Sequence, residues 1–362
     1  MYYRIGEITF CSQLALPSYE VFSCAPSTPD VTLEVGGEAP GDGTDVETGF
    51  FVCRSTGDGW FYHADSEDGT GLAVSGDYSR LRLIRSTEGP PALREECYIR
   101  TALECLLIRR GYVSLHAACV QSEGAAVAFT GDSGVGKSTR AKAWWEAFQT
   151  PLISGDRPLV QVKNLEVFGV PWDGKEGCYK SVRFPLGWVC EVRRSPVNYL
   201  RKMTFQQKRR LLMRQCFLPM WDTDTAAMQM MNIVRLASQA NILRAFGGPD
   251  AEDARVLKRM LDTNQVLKEE SEMKAKDGFV LRNIVDEHVL MPTGDNINQF
   301  GGTVIFNEQA AFLWEKLQYP VSRDDLLAAM VNTYAVDEAT AASDLDAVLE
   351  KMKALSLITE EA

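Results

Sequence analysis

Residues 131–138 run Gly-Asp-Ser-Gly-Val-Gly-Lys-Ser, spaced as G-x-x-x-x-G-K-[ST]. Gly131, Gly134 and Gly136 can take positive φ and let the backbone approach a bound group closely, so their N–H groups can wrap a polyphosphate. Lys137 can reach the outer phosphates, and the Ser138 hydroxyl can ligate Mg²⁺. Asp132, Ser133, Val135 and Thr139 complete the lining. Asp132 can touch metal or substrate, at a position where many residue types are tolerated. A turn that merely joined two elements would need no Lys-Ser at its end, and the pattern arises by chance in roughly one chain in a hundred of this length.

Phosphoryl chemistry also needs a carboxylate for metal or proton and positive charge on the transferred group. Asp156 is the best carboxylate candidate, just after the strand-like Pro151-Leu152-Ile153 and beside Gly155 and Arg157. A carboxylate at the C-terminal end of a strand next to the loop's own strand lies where α/β sheets bind ligands. The local sequence fits a simple Gly-Asp turn equally well. His116 follows Val113-Ser114-Leu115, and a lone His after a strand is either structural or catalytic.

The elements around these residues must place them. Ala125-Ala126-Val127-Ala128-Phe129 reads as a buried strand, and Thr139 to Gln149 reads as a helix without Gly or Pro. The Gly-rich turn thus meets a helix N-terminus, whose dipole favours an anion. Upstream, alternating apolar runs from Tyr2 to Ile84 predict a β-rich region over 1–92. A helix is expected over Glu95–Arg109. Alternating strands and helices over 93–264 predict an α/β core, with helical stretches over Thr204–Phe217 and Thr223–Ala245 and the methionines 228, 230 and 231 read as core filling. The charged stretch 265–278 reads as a linker. In 279–362, strands are expected near Phe279–Arg282, His288–Met291 and Thr303–Phe306. Helices follow near Glu308–Leu317, Ser322–Tyr334 and Asp337–Leu355, with Asn307 and Ser322 as N-caps.

Together, Ser114-Leu115-His116-Ala117-Ala118-Cys119-Val120, Phe129 through Ser138, and Ile153-Ser154-Gly155-Asp156-Arg157 resemble the core of the HPr serine kinase/phosphorylase family. The resemblance implies an α/β core akin to phosphoenolpyruvate carboxykinase, with ATP and Mg²⁺ as cofactors. It implies a serine kinase in which Asp156 is the acid/base and, with Ser138, a metal ligand, while His116 and Lys137 are catalytic. Gly155 stands where that family has a first Asp, and Thr139 where an acidic residue often follows. Phe168-Gly169-Val170-Pro171-Trp172-Asp173-Gly174-Lys175-Glu176 is similar to segments of kinase-like proteins tied to modified-peptide biosynthesis.

His288 to Gly294, Thr303 to Glu308, Ala311 to Glu315 and the spacing of Tyr334, Val336, Asp344 and Leu345 to Leu355 resemble a PqqD-type domain. That likeness implies a short sheet on a three-helix, winged-helix-like base that grips the leader of a ribosomally made precursor peptide by strand addition. The joint expectation is an ATP-dependent kinase acting on a Ser of a tethered precursor peptide. The alternatives are a nucleotide-gated peptide chaperone and a small-molecule hydroxyl kinase.

Bulk properties narrow the class. With 362 residues, 45% hydrophobic and 24% charged, the chain resembles an ordinary globular protein. No apolar run approaches the roughly 20 residues that span a bilayer, and no secretory leader is evident at the N-terminus. Nine scattered Cys without a C-x-x-C pair, and only three His, fit reduced cytoplasmic thiols better than disulfides or a multi-His metal site. A net charge of −11 disfavours nucleic acid as a partner. Charge is uneven: Asp277 to the end holds fifteen acidic and five basic residues, whereas Arg193–Trp221 holds eight basic residues and no acid. That basic run is either a solvated helix face or a docking surface for an acidic peptide or the acidic region of a neighbouring subunit; homo-oligomers are one arrangement compatible with it.

Overall fold

The computed structural model describes residues 1–362 except 42, 65–68, 87, 173–176, 179, 266–271, 295, 301, 335 and 362. They form two compact units, 1–268 and 269–362. The chain is mixed α/β. Of the Phe168–Glu176 segment singled out above, 173–176 lie outside the described residues.

In the first unit, period-2 alternation builds an eight-stranded sheet. Its spatial order is Tyr2–Ile5, Ile8–Ser12, Val31–Val35, Arg80–Ile84, Gly71–Ser75, Gly59–His63, Val52–Thr56 and Thr44–Glu47. One face carries Tyr3, Ile5, Phe10, Leu33, Leu72, Leu81 and Leu83 into a core shared with the helix Leu93–Arg109 and with Tyr112, Leu159 and Phe168. This core therefore runs across the point near residue 92 where the sequence suggested a boundary.

A buried polar knot ties the same parts together. Asp222 caps the helix Thr223–Gln239, accepting from Thr225 N at 3.1 Å and Thr225 Oγ1 at 2.5 Å. It also accepts from Tyr78 Oη at 2.9 Å and Arg109 Nη2 at 3.1 Å. Burial alone would raise the Asp222 pKa, but the bonds from Thr225, then Tyr78, then Arg109 hold it below the ordinary aspartate value. A depressed carboxylate stabilises the fold above its unfolded pKa, near 3.9, and the gain is lost as pH falls through the folded value. Asp222→Ala leaves Arg109 and Tyr78 without this acceptor and is expected to cost about 3–5 kcal/mol in urea unfolding at pH 7. The gap to wild type should close in strongly acidic buffer; a constant gap would mean that lost packing, not lost charge, is the cause.

The second sheet of this unit has nine strands. Leu152–Ser154, Ala117–Ser122, Ala125–Thr130 and the long Arg183–Arg194 lie side by side, and Arg183–Arg194 continues to Glu166–Phe168, Leu159–Gln161 and Tyr112–Ser114. Ile242–Gly247 pairs with Arg183–Arg194 and with Tyr199–Lys202. The inner strands Ala117–Ser122 and Ala125–Thr130 are largely buried on both faces, which explains their near-continuous apolar runs. Val127 and Phe129 pack under the helices Lys137–Phe148 and Ala251–Asp262, with Trp144 and Leu257. Ala126 and Ala128 face the helices Phe205–Gln215 and Thr223–Gln239, with Leu212 and Ile233.

Three expectations change. The helix expected over Thr223–Ala245 ends at Gln239, and Ile242–Gly247 is a fully buried strand; an apolar run of that length is ambiguous by periodicity alone. Met228, Met230 and Met231 do not fill the core but are exposed. Asp156 does follow a strand, yet that strand neighbours Ala117–Ser122 rather than Ala125–Thr130.

The second unit opens with Glu272–Ala275, inside the stretch expected as linker, paired with Val321–Ser322 and Ile358–Glu361. Phe279–Ile284 and Glu287–Pro292 form a hairpin whose two turn residues, Val285 and Asp286, both have positive φ, as a tight hairpin turn demands. Val304–Phe306 is the third strand of that sheet. The helices Glu308–Lys316, Arg323–Tyr334 and Glu338–Ala354 pack Leu313, Trp314, Leu326, Met330, Leu345 and Leu349 into a core with Leu290 and Phe306. Asn307 caps the first of these helices through Ala310 N. Among the described residues, no helix is long and apolar enough to cross a membrane. None of the nine cysteines, all of them among the described residues, is in a disulfide.

Candidate functional site

Strand direction gathers the site. Ala125–Thr130 ends at Gly131. Leu152–Ser154 runs the same way and leads to Asp156. Ala117–Ser122 runs antiparallel between them and begins just after His116. The Gly-rich loop, His116 and Asp156 therefore meet at one edge of the sheet.

Backbone bonds fix that meeting. Thr130 Oγ1 donates to the His116 carbonyl at 2.9 Å, and the Ala117 N–H donates to the Asp156 carbonyl at 2.7 Å. The His116 N–H donates to the carbonyl of Gln215 at 2.7 Å. Gly131, Gly134 and Gly136 have φ of 137°, 78° and 111°, and Gly136 caps the helix that Lys137 begins. A side chain at any of the three would be strained, which is the physical reason for glycine there.

Lys137 Nζ donates to the carbonyls of Gly131 at 2.9 Å and Asp132 at 3.2 Å. His116 Nε2 lies 3.3 Å from Asp156 Oδ1, and Arg157 Nε lies 3.8 Å from Asp156 Oδ2. Burial, then Lys137, holds His116 below the usual imidazole range, with Asp156 pulling the other way. Burial likewise lowers Lys137 against the pull of Asp156 and Asp132. The imidazole, the carboxyl group and the Lys137 side chain thus lie together, partly exposed, in an arrangement able to accept a proton beside fixed positive charge.

Lys137, Asp156 and His116 are brought together as the sequence suggested. Asp132, Ser133, Ser138 and Thr139 are exposed along the loop and first helical turn, Val135 is half-buried, and no hydrogen bond joins Ser138 to Asp156. Among the described residues no cluster of three or more His, Cys, Asp or Glu could hold a metal ion alone.

Several residues escaped the sequence reading. Gln215 holds His116 through its carbonyl, and its side chain donates to Asp132 Oδ1 at 3.3 Å. Arg194 braces the loop from outside, donating to the Gly134 carbonyl at 2.7 Å. Buried Glu191 bonds Arg193 and Arg244, both at 2.9 Å, with Arg214 at 3.6 Å. The acid-free run from Arg193 to Trp221 was the available signal for this cluster.

Comparison with known families matches residues 287–358 to the model described as coenzyme PQQ synthesis protein D (PqqD). The chain thus carries a PqqD domain at its C-terminal end. No curated protein matches the chain.

Proposed function

We propose that the chain is an ATP-dependent kinase that phosphorylates a Ser hydroxyl of a precursor peptide held by its PqqD domain. A PqqD domain suggests a part in peptide binding or modification. The observation that carries the catalytic half is the convergence of Lys137, Asp156 and His116 beside a loop of three positive-φ glycines at a helix N-terminus.

The residues fit a nucleoside triphosphate. The loop glycines leave the backbone open to a polyphosphate, and beside Gly134 an added Cβ would meet nothing within 4 Å. The Lys137 ammonium is partly desolvated at the loop's mouth. When bound, ATP supplies the phosphoryl group, with Mg²⁺ held by Ser138 and Asp156 offsetting its charge. Asp156 would accept the proton of the acceptor hydroxyl, with ADP as the leaving group. Lys137 faces the negative charge that develops, and Arg157 and His116 fix the Asp156 carboxylate from its two oxygens.

Incubation of the full chain with Mg²⁺, ATP and candidate precursor peptides, followed by mass spectrometry, tests this reading: the peptide gains one phosphate. Gly155, standing where the resembling family has an acid, favours one rival, a nucleotide-gated chaperone that transfers nothing. Peptide bound but unmodified supports that rival, and phosphate on free amino acids or alcohols supports a small-molecule kinase. Tethering has its own signature. Removing the leader from the peptide should raise its KM by about a hundredfold with little change in kcat, because a tether only raises local concentration. Equal KM for both peptides would remove the PqqD domain from substrate capture.

A further inference from the structure

The second sheet carries a row of polar residues on the face covered by the helix Phe205–Gln215. Thr130 pairs with Glu191, Glu191 with Arg244, and Arg244 with Arg201, each directly in register. Thr130 is the last residue before the Gly-rich loop, so the row starts at the candidate phosphoryl site and leads away from it. Arg201 and Arg244 stand opposite one another in an antiparallel ladder, an arrangement that costs stability unless an anion lies near. Glu191, 3% exposed, serves Arg244 from one side and Arg193 from its own strand. Two positions past Arg244, Phe246 stacks on Tyr199 at 4.1 Å, and the Arg201 guanidinium lies 5.7 Å from the Phe246 ring and 5.6 Å from the Tyr199 ring.

The covering helix adds Arg214, whose side chain is 55% exposed while lying 3.6 Å from Glu191. Its chain neighbour Gln215 holds His116 and reaches Asp132. Arg214 therefore marks the place where the cationic row meets the catalytic edge. The surrounding segment from Arg193 to Trp221 is free of acid in a chain of net charge −11.

Resting on the kinase reading above, we propose that the exposed end of this row, at Arg214, selects the acceptor: it binds a carboxylate next to the hydroxyl that Asp156 serves, so the preferred substrate is an acidic polypeptide segment. Arg214 is the outermost contact and reads the residue nearest the hydroxyl. Guanidinium–carboxylate pairs suit the task because the fork is planar and always charged.

The test uses the full-length protein and two short leaderless synthetic peptides, a central Ser flanked by glutamates and its twin flanked by glutamines. Fluorescence anisotropy reads binding, and phosphate incorporation with ATP reads transfer. Wild type should bind the glutamate peptide about tenfold more tightly than its twin, the scale of one charged hydrogen bond. The preference should shrink as salt rises. Arg214→Gln should erase the difference, and Arg214→Glu should reverse it in favour of a lysine-flanked peptide. The exposed position of Arg214 suits Arg214→Gln, and a melting curve verifies the fold of both variants, Arg214→Glu included, since it sets a carboxylate beside buried Glu191.

Equal binding of the two peptides by wild type, or a preference that survives Arg214→Gln, overturns the proposal. So does an unchanged preference together with a variant that sediments as a smaller species, because the surface would then join copies of the chain. Arg214-dependent binding without phosphate incorporation keeps the surface and removes the kinase reading. Incorporation without discrimination keeps the kinase reading and removes the surface.

Discussion

Lys137→Ala is expected to leave the chain folded and to slow phosphoryl transfer by about a hundred- to a thousandfold, the loss typical of removing one fixed donor from a site of developing negative charge. The side chain bonds the carbonyls of Gly131 and Asp132, at the mouth of the loop rather than in either core. Its removal takes one donor from the carbonyls of buried Gly131 and exposed Asp132, so a loss of only about 1 kcal/mol in stability is expected. The electrostatic consequence is larger. Asp156 and Asp132 both attract the ammonium. Without it, two carboxylates face the space that a triphosphate would enter, and affinity for ATP should fall along with the rate. A time course of peptide phosphorylation, a nucleotide titration and a melting curve on the same preparation separate these effects. Transfer within a factor of ten of wild type would mean that Lys137 serves the loop's shape and not the chemistry.

How much of this arrangement could be read beforehand depended on whether the information was local. The Gly131–Ser138 loop, its strand and its helix were legible because turn glycines, an apolar run and a helix-forming run follow one another in the chain. The helices Glu308–Lys316, Arg323–Tyr334 and Glu338–Ala354 of the second unit were legible for the same reason, with Asn307 announcing the first of these, whereas the short helix Asn296–Phe300 was not. Glu191 was not. It is an acid in a strand of mixed character, Arg183–Arg194, whose identity depends on pairing with Ala125–Thr130 and Ile242–Gly247, both far away in sequence. Gln215 was equally silent, since a glutamine at a helix end acquires a role only once Leu115 meets Cys216 across the gap between two elements. The exposed edge strand Thr44–Glu47 had no apolar residues facing a core, so it left no alternation to detect. The exposed methionines of Thr223–Gln239 show the reverse failure: apolar type was read as burial, although apolar residues also occupy surfaces.

Asp156→Asn should reduce transfer by about a hundred- to ten-thousandfold, the range for loss of a general base, while the fold and nucleotide binding remain. The amide keeps the shape of the side chain, and the backbone carbonyl of residue 156 still receives the Ala117 N–H, so His116 stays in place. What the amide cannot do is take the acceptor's proton. His116, 3.3 Å away, is the competing base, and the two assignments differ in sign. Asp156, and after it the Gln215 side chain, pulls the His116 pKa upward against burial and Lys137. Removing that negative charge lowers the pKa further. A His116 base would therefore stay deprotonated to lower pH in the variant, and the acidic limb of its pH–rate profile would move down with the rate at neutral pH largely kept. An Asp156 base predicts a collapse of rate across the whole range, with no limb to follow. Profiles of Asp156→Asn and His116→Asn between pH 5 and pH 9 decide between them: collapse in the first with a milder loss in the second assigns the proton to Asp156, and the opposite pattern assigns it to His116.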